Sequence, residues 1–90
     1  MNSVIHNWYV DFCKRKSDIN EHLPILHEYG KKSESIVELG VRKGQSTVAL
    51  LNARSPKLTS FDIVLTSQAK VIEAQAKIEG IPFELAQGIV

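Results

Sequence analysis

Apolar residues recur along the chain at two different periods, and the change from one to the other divides it. Over residues 4–16, Ile5, Trp8, Tyr9, Phe12 and Cys13 fall at intervals of three and four, with Asp11, Lys14 and Arg15 mostly on the other side. That spacing predicts an amphipathic helix whose apolar stripe needs a surface to pack against. Ser17-Asp18 then offers an N-cap, with Glu21 three residues after Asp18 in the position of a capping box. Pro24 is tolerated in a first turn but not deep in a helix. A second helix is therefore expected to start near Glu21 or His22 and to run to about Tyr29, with Gly30 as its stop.

From Ser35 the period shortens. Residues 35–39 form a short β-branched run closed by Gly40, the pattern of a buried strand. The turn over 40–44 leads into a helix expected over about 45–54, with Val48, Leu50 and Leu51 on its apolar side and Ser55-Pro56 breaking it. Residues 58–63 read as a second strand. Thr66-Ser67 caps a helix running to Glu79, with Val71, Ile72, Ala76 and Ile78 as its apolar positions and Gly80 as its end. Ile81, Phe83 and Leu85 alternate with other residues as a third strand would. Strands alternating with helices predict an α/β fold with a parallel sheet and right-handed crossovers. One domain over 1–90 results, with 1–32 as a helical lead-in and 33–90 as a β-α-β-α-β unit.

Composition narrows the function classes. So short a chain buries only about 60–65% of the surface its unfolded form exposes, enough for one small core. An apolar content of 43% with 23% charged residues is that of an ordinary globular protein rather than a disordered tail. A net charge of +1 makes no electrostatic case for nucleic acid or an acidic membrane. The basic run Lys14-Arg15-Lys16 is expected as a solvated helix end. The single cysteine, Cys13, excludes an intrachain disulfide, points to a reducing cytoplasm, and is expected as a buried, inert thiol. No apolar run approaches the roughly 20 residues that span a bilayer, and the N-terminus does not resemble a secretory signal. His6, His22 and His27 lack metal-ligand spacing.

The chemistry concentrates at the first strand's end. Gly40 removes a Cβ that would hinder close approach of a ligand to the backbone. Gly44 opens the next helix, whose first N–H groups and dipole can receive a carboxylate or phosphate, and Ser46 and Thr47 add hydroxyls there. Asp62 stands near the end of the second strand, where doubly wound sheets place an acid that accepts from ribose hydroxyls. Two phosphate loops fail on residue identity. A dinucleotide fingerprint needs glycine where Arg42 stands, and a Walker A loop needs four residues between its glycines and then lysine, whereas Gln45 follows Gly44. Taken singly, Glu38 fits a solvated strand-end carboxylate and Asp62 a turn residue; with Gly40 and Gly44 they outline a site. Arg42 and Lys43 are expected as solvated turn residues.

The pattern E-x-G-x-x-x-G followed by an acid at the second strand's end resembles the first two cofactor motifs of class I S-adenosylmethionine-dependent methyltransferases. Within them the chain looks like the branch with a V-E-L-G-V-x-x-G-x-S-T turn, and the likeness covers roughly residues 17–88, including the lead-in SDINEHLPILHEYG. The resemblance implies a Rossmann-like three-layer sandwich, truncated here to about three parallel strands behind two N-terminal helices. It implies S-adenosylmethionine as cofactor, with Gly40, Val41, Gly44 and Ser46 at its methionine part. Glu38 would orient that end, often through water, Asp62 would hold the ribose and Ile63 would flank the adenine. It assigns no catalytic residue and no acceptor.

The sequence departs from the family in two ways. Gly88 is followed by Ile89 and Val90, where a common pattern places an acid that meets the adenine amine. Only three of about seven strands are visible, and the fourth would pair beside the first. The strand at 35–39 thus becomes an apolar edge, which predicts a homodimer formed through that edge or through the N-terminal helices; the other expectation is a piece of a longer chain. The Trp8, Tyr9 and Phe12 cluster is expected as core or dimer contact, with a lid over the cofactor as the alternative. Two further readings stand beside methyl transfer: a non-catalytic module that serves in assembly, and another nucleoside-binding Rossmann-like domain.

Overall fold

In the computed structural model, which describes residues 3–41 and 44–88, two helices precede a β-α-β-α-β unit. Helix α1 is Val4–Lys14, α2 is Leu23–Lys31, strand β1 is Ile36–Leu39 and α3 is Gln45–Asn52. Strand β2 is Leu58–Asp62, α4 is Ser67–Ile78 and β3 is Phe83–Gln87. The strands run parallel in the order β1-β2-β3, with Ile36 opposite Leu58 and Leu58 opposite Phe83. The chain is a small α/β protein with the Rossmann-like arrangement that its alternating periods predict.

Side chains alternate across each strand, so the register sorts them onto two faces. Ile36, Glu38, Leu58, Ser60 and Phe83 share the face that meets the helices. There Ile5 of α1, Val48 and Leu51 of α3, and Ile72 and Ala76 of α4 close on Leu58 and Ile81. Trp8, Tyr9 and Phe12 pack against this core, as expected of them. Val37 and Leu39 point to the other face and are 62% and 66% exposed. The core helices thus cover one face of the sheet, and the other stays open at Val37 and Leu39. The N–H groups of Ile36 and Gly40 donate to Lys57 and Phe61 carbonyls of the β2 segment, so the backbone groups of Val37 and Leu39 turn away from β2, towards the sheet's outer edge.

Several sequence expectations shift. The second helix starts at Leu23, after a single 3-10 turn over Asn20–His22, with Pro24 in its first turn. The capping box does not form: Ser17 accepts from the Ile19 N–H, and Asn20 accepts from the Ser17 N–H. Gly30 does not stop α2 but lies buried within it, because a Cβ there would stand 2.8 Å from that of Ala53. In α4 the buried stripe is Ala69, Ile72 and Ala76, which leaves Val71 and Ile78 in solvent. Ile81 is not part of the third strand; its N–H donates to the Ala76 carbonyl and its side chain closes the core.

One acid ties three helix ends together. Glu79 accepts from the Ile5 N–H at 3.0 Å, Gln75 Nε2 at 2.9 Å, Arg54 Nη2 at 3.0 Å and the Ser3 hydroxyl. Burial alone would push its pKa up, but these donors outweigh burial and hold it down at about 2. Tyr9 stacks on His27 with ring centroids 4.8 Å apart. Burial, then the hydrogen bond with Cys13, pushes its phenol up to about 12, so it stays protonated at neutral pH. Among the described residues, no helix is long and apolar enough to cross a membrane.

Candidate functional site

The turn after β1 is built for close approach. Gly40 has φ +89°, and a Cβ placed on it would meet nothing within 4 Å, so it borders open space. The Gly44 N–H donates to the Val41 carbonyl at 2.8 Å, and the Val48 N–H donates to the Gly44 carbonyl at 2.9 Å, which starts α3. Gly44 sits at the N-cap with φ +84° and has no side chain to cap with, so the first-turn N–H groups of α3 receive no side-chain acceptor from it. Its back is closed: a Cβ there would lie 2.2 Å from Ile72 Cδ1. Arg42 and Lys43 lie outside the described residues.

A cavity of about 510 Å³ opens over this turn. Gly40, Val41, Gly44, Gln45 and Ser46 form one wall, and Asp18, Ile19, His22 and Leu26 of the lead-in form the other. Its volume is within the range of small-molecule sites. Four sequence-predicted residues, Gly40, Val41, Gly44 and Ser46, thus meet in one place. A separate cavity of about 380 Å³ between α1 and α4, walled chiefly by Trp8, Phe12, Val48, Val71 and Ile72, includes no residue of the glycine turn.

Glu38 lies behind the turn rather than in this cavity. Its carboxylate is buried and accepts three hydroxyl hydrogen bonds, from Ser46 at 2.6 Å, Thr47 at 2.5 Å and Ser60 at 2.9 Å. It thereby joins β1, β2 and the first turn of α3. The Ser46 and Thr47 hydroxyls, read from sequence as ligand groups, close on this acid, although Ser46 also lines the cavity.

Asp62 reaches the turn from β2. One carboxylate oxygen accepts from the Val41 N–H at 2.8 Å and the other from the Ile63 N–H at 2.7 Å. Its carbonyl accepts from the Gly88 N–H at 2.9 Å, which brings the end of β3 alongside. Ile63 is exposed beside it. Neither residue lines the cavity; Asp62 connects to it through Val41. The opposite wall, at Asp18, Ile19, His22 and Leu26, has no motif in the sequence. Asp18 had the look of a helix cap, and only the late start of α2 shows that it is not one.

No protein-family model matches the chain, and no curated protein sequence matches it. Solved structures do. A crystal structure of coclaurine N-methyltransferase bound to N-methylheliamine and SAH superposes with a TM-score of 0.58 at 17% sequence identity. The match covers 89% of this chain and 30% of that one. At that identity the likeness is one of fold, and the chain spans under a third of the neighbour's length.

Proposed function

We propose that the chain binds S-adenosylmethionine across the cavity and the Asp62 end of β2, as part of a methyltransferase. The observation that carries this reading is the meeting of Gly40, Val41, Gly44 and Ser46 on one cavity wall, with Asp62 hydrogen-bonded to the Val41 N–H. The uncapped start of α3 suits a carboxylate rather than a neutral group. A side chain on Gly40 would enter the open space a ligand needs. Asp62 is assigned to the ribose hydroxyls and exposed Ile63 to one face of the adenine. Glu38 acts indirectly, by holding Ser46 and the first turn of α3. The likeness in fold to a methyltransferase bound to SAH supports the same reading.

When bound, the cofactor would supply an electrophilic methyl group, and transfer depends chiefly on how acceptor and methyl are positioned. The residues assigned here bind and orient; none is assigned as an acid or base. The test is the melting temperature with and without S-adenosylhomocysteine, because a ligand bound only by the folded state raises apparent stability. A saturable rise is expected. No rise, together with no heat of binding, would remove the reading.

A second reading, a non-catalytic assembly module, is favoured by the outer edge of β1, where Val37 and Leu39 combine exposed side chains with outward backbone groups. Pairing of this edge in a homodimer would satisfy those groups and cover both side chains. A monodisperse monomer in light scattering at micromolar concentration would count against it.

A further inference from the structure

We infer that His6, Asn52 and His27 form a pH-sensitive clasp, which holds the helical lead-in on α3 and accommodates one proton but not two. Three helices meet here through side chains: His6 of α1, His27 of α2 and Asn52, the last residue of α3. The clasp thus stands at the opposite end of α3 from Gly44. The His6 Nδ1–H donates to Asn52 Oδ1 at 3.2 Å, and Asn52 Nδ2 donates to His27 Nε2 at 3.3 Å. Asn52 and His27 are half-buried, and His6 is exposed.

A side-chain amide has one accepting edge and one donating edge, whereas an imidazolium only donates. With both rings neutral, both bonds form. With one ring charged, the amide turns its oxygen to that ring and its NH₂ group to the neutral one, so both bonds survive. With both charged, one ring N–H faces the NH₂ group, and one helix loses its tie to α3. The groups around the clasp fit this count. Tyr9 of α1 stacks on His27 at 4.8 Å and lies tilted to His6 at 6.4 Å. Its phenol is hydrogen-bonded with Cys13 and stays neutral, so its ring face suits a cation beside it. Glu28 adjoins His27 on α2 and pairs with Lys31 at 3.6 Å. Beyond Asn52, Arg54 is tied to Glu79 and to Ser3, whose hydroxyl accepts from the His6 backbone N–H. The unfolded chain has no shared amide and takes up both protons without conflict. Stability from the clasp is therefore fully present above the ordinary imidazole range, about 6.5, and is lost as pH falls through it.

The test is the melting temperature of the full chain, His6→Gln and His27→Gln at about pH 7.5 and about pH 5. A glutamine amide can face Asn52 with either edge and takes no proton, so either variant removes the conflict and keeps the contact. His22 is common to all three proteins, and Glu79 stays ionised over this interval. The unchanged chain is expected to lose about 3–6 °C more than either variant on acidification, and the two variants to behave alike. An equal loss in all three proteins would overturn the clasp. A loss only halved by each substitution would overturn it too, because the two histidines would then titrate independently. Asn52→Asp offers acceptors to both rings, so its melting temperature relative to the unchanged chain should rise between the same two pH values. A flat or falling difference would overturn the clasp even if a glutamine variant failed to fold.

Discussion

Replacing Glu38 by alanine removes the acceptor of three hydroxyls at once, those of Ser46, Thr47 and Ser60. Thr47 and Ser60 are fully buried and cannot turn to water, whereas Ser46 is only partly so. Each stranded buried hydroxyl costs about 1–3 kcal/mol, and the vacated side-chain volume adds to that. Glu38→Ala is therefore expected to lose about 3–5 kcal/mol, a large part of the roughly 5–13 kcal/mol that a chain of this size commands. Glu38→Gln separates charge from shape. Its amide oxygen can still accept from Thr47 and Ser60, while its NH₂ group can donate to Ser46 after that hydroxyl turns, so the loss should be about 1–2 kcal/mol. Urea unfolding at neutral pH, followed by circular dichroism with equal slopes for all three proteins, measures both. An alanine variant within about 1 kcal/mol of the unchanged chain would show that the Glu38 carboxylate does not hold these hydroxyls. So would a glutamine variant as damaged as the alanine one.

Gly44→Ala combines a left-handed backbone with a Cβ 2.2 Å from Ile72 Cδ1, whereas Gly40→Ala has the backbone cost alone. Losses of about 2–4 and 1–2 kcal/mol respectively are expected in the same unfolding assay, with ligand affinity the more affected at Gly40. Glu79 is held at about 2 against an ordinary 4.5, so the unfolded chain takes up the proton first. Its stabilisation, about 2–3 kcal/mol, is fully present above pH 5 and fades as pH falls through 4.5 towards 2. The stability gap between the unchanged chain and Glu79→Gln should shrink over that range. Val37→Lys, which places a charge on the outer edge strand, is expected to shift any self-association towards monomer in sedimentation velocity without lowering the melting temperature by more than a few degrees.

The elements and their parallel order were legible because hydrophobic periods, glycines and caps agree with one another from residue 35 onward. Thr66 does cap α4, accepting from the Ala69 N–H, and the turn residues Gly40 and Gly44 both take the positive φ their type allows. At two positions tertiary packing overrides the local signal. Gly30 carries a stop signal but is retained inside α2 by its contact with Ala53. Ile81 has strand spacing, but the left-handed Gly80 turns it back on to Ala76. The site was half legible. Its glycine wall follows from residue type, whereas the Asp18 wall depends on a 3-10 turn whose local hydrogen bonds have no periodic signature. Glu38 was placed on the right strand. Its inward engagement depends on Ser60, which joins it only once β1 and β2 pair in register.

Calorimetric titration of S-adenosylhomocysteine into the unchanged chain and Asp62→Ala measures whether the glycine turn and the Asp62 strand end hold an S-adenosyl ligand. A saturable heat at one ligand per chain is expected for the unchanged chain, with at least a tenfold weaker response in the variant, about 1.4 kcal/mol or more. No heat for the unchanged chain, or the same affinity with and without the Asp62 carboxylate, would contradict that assignment.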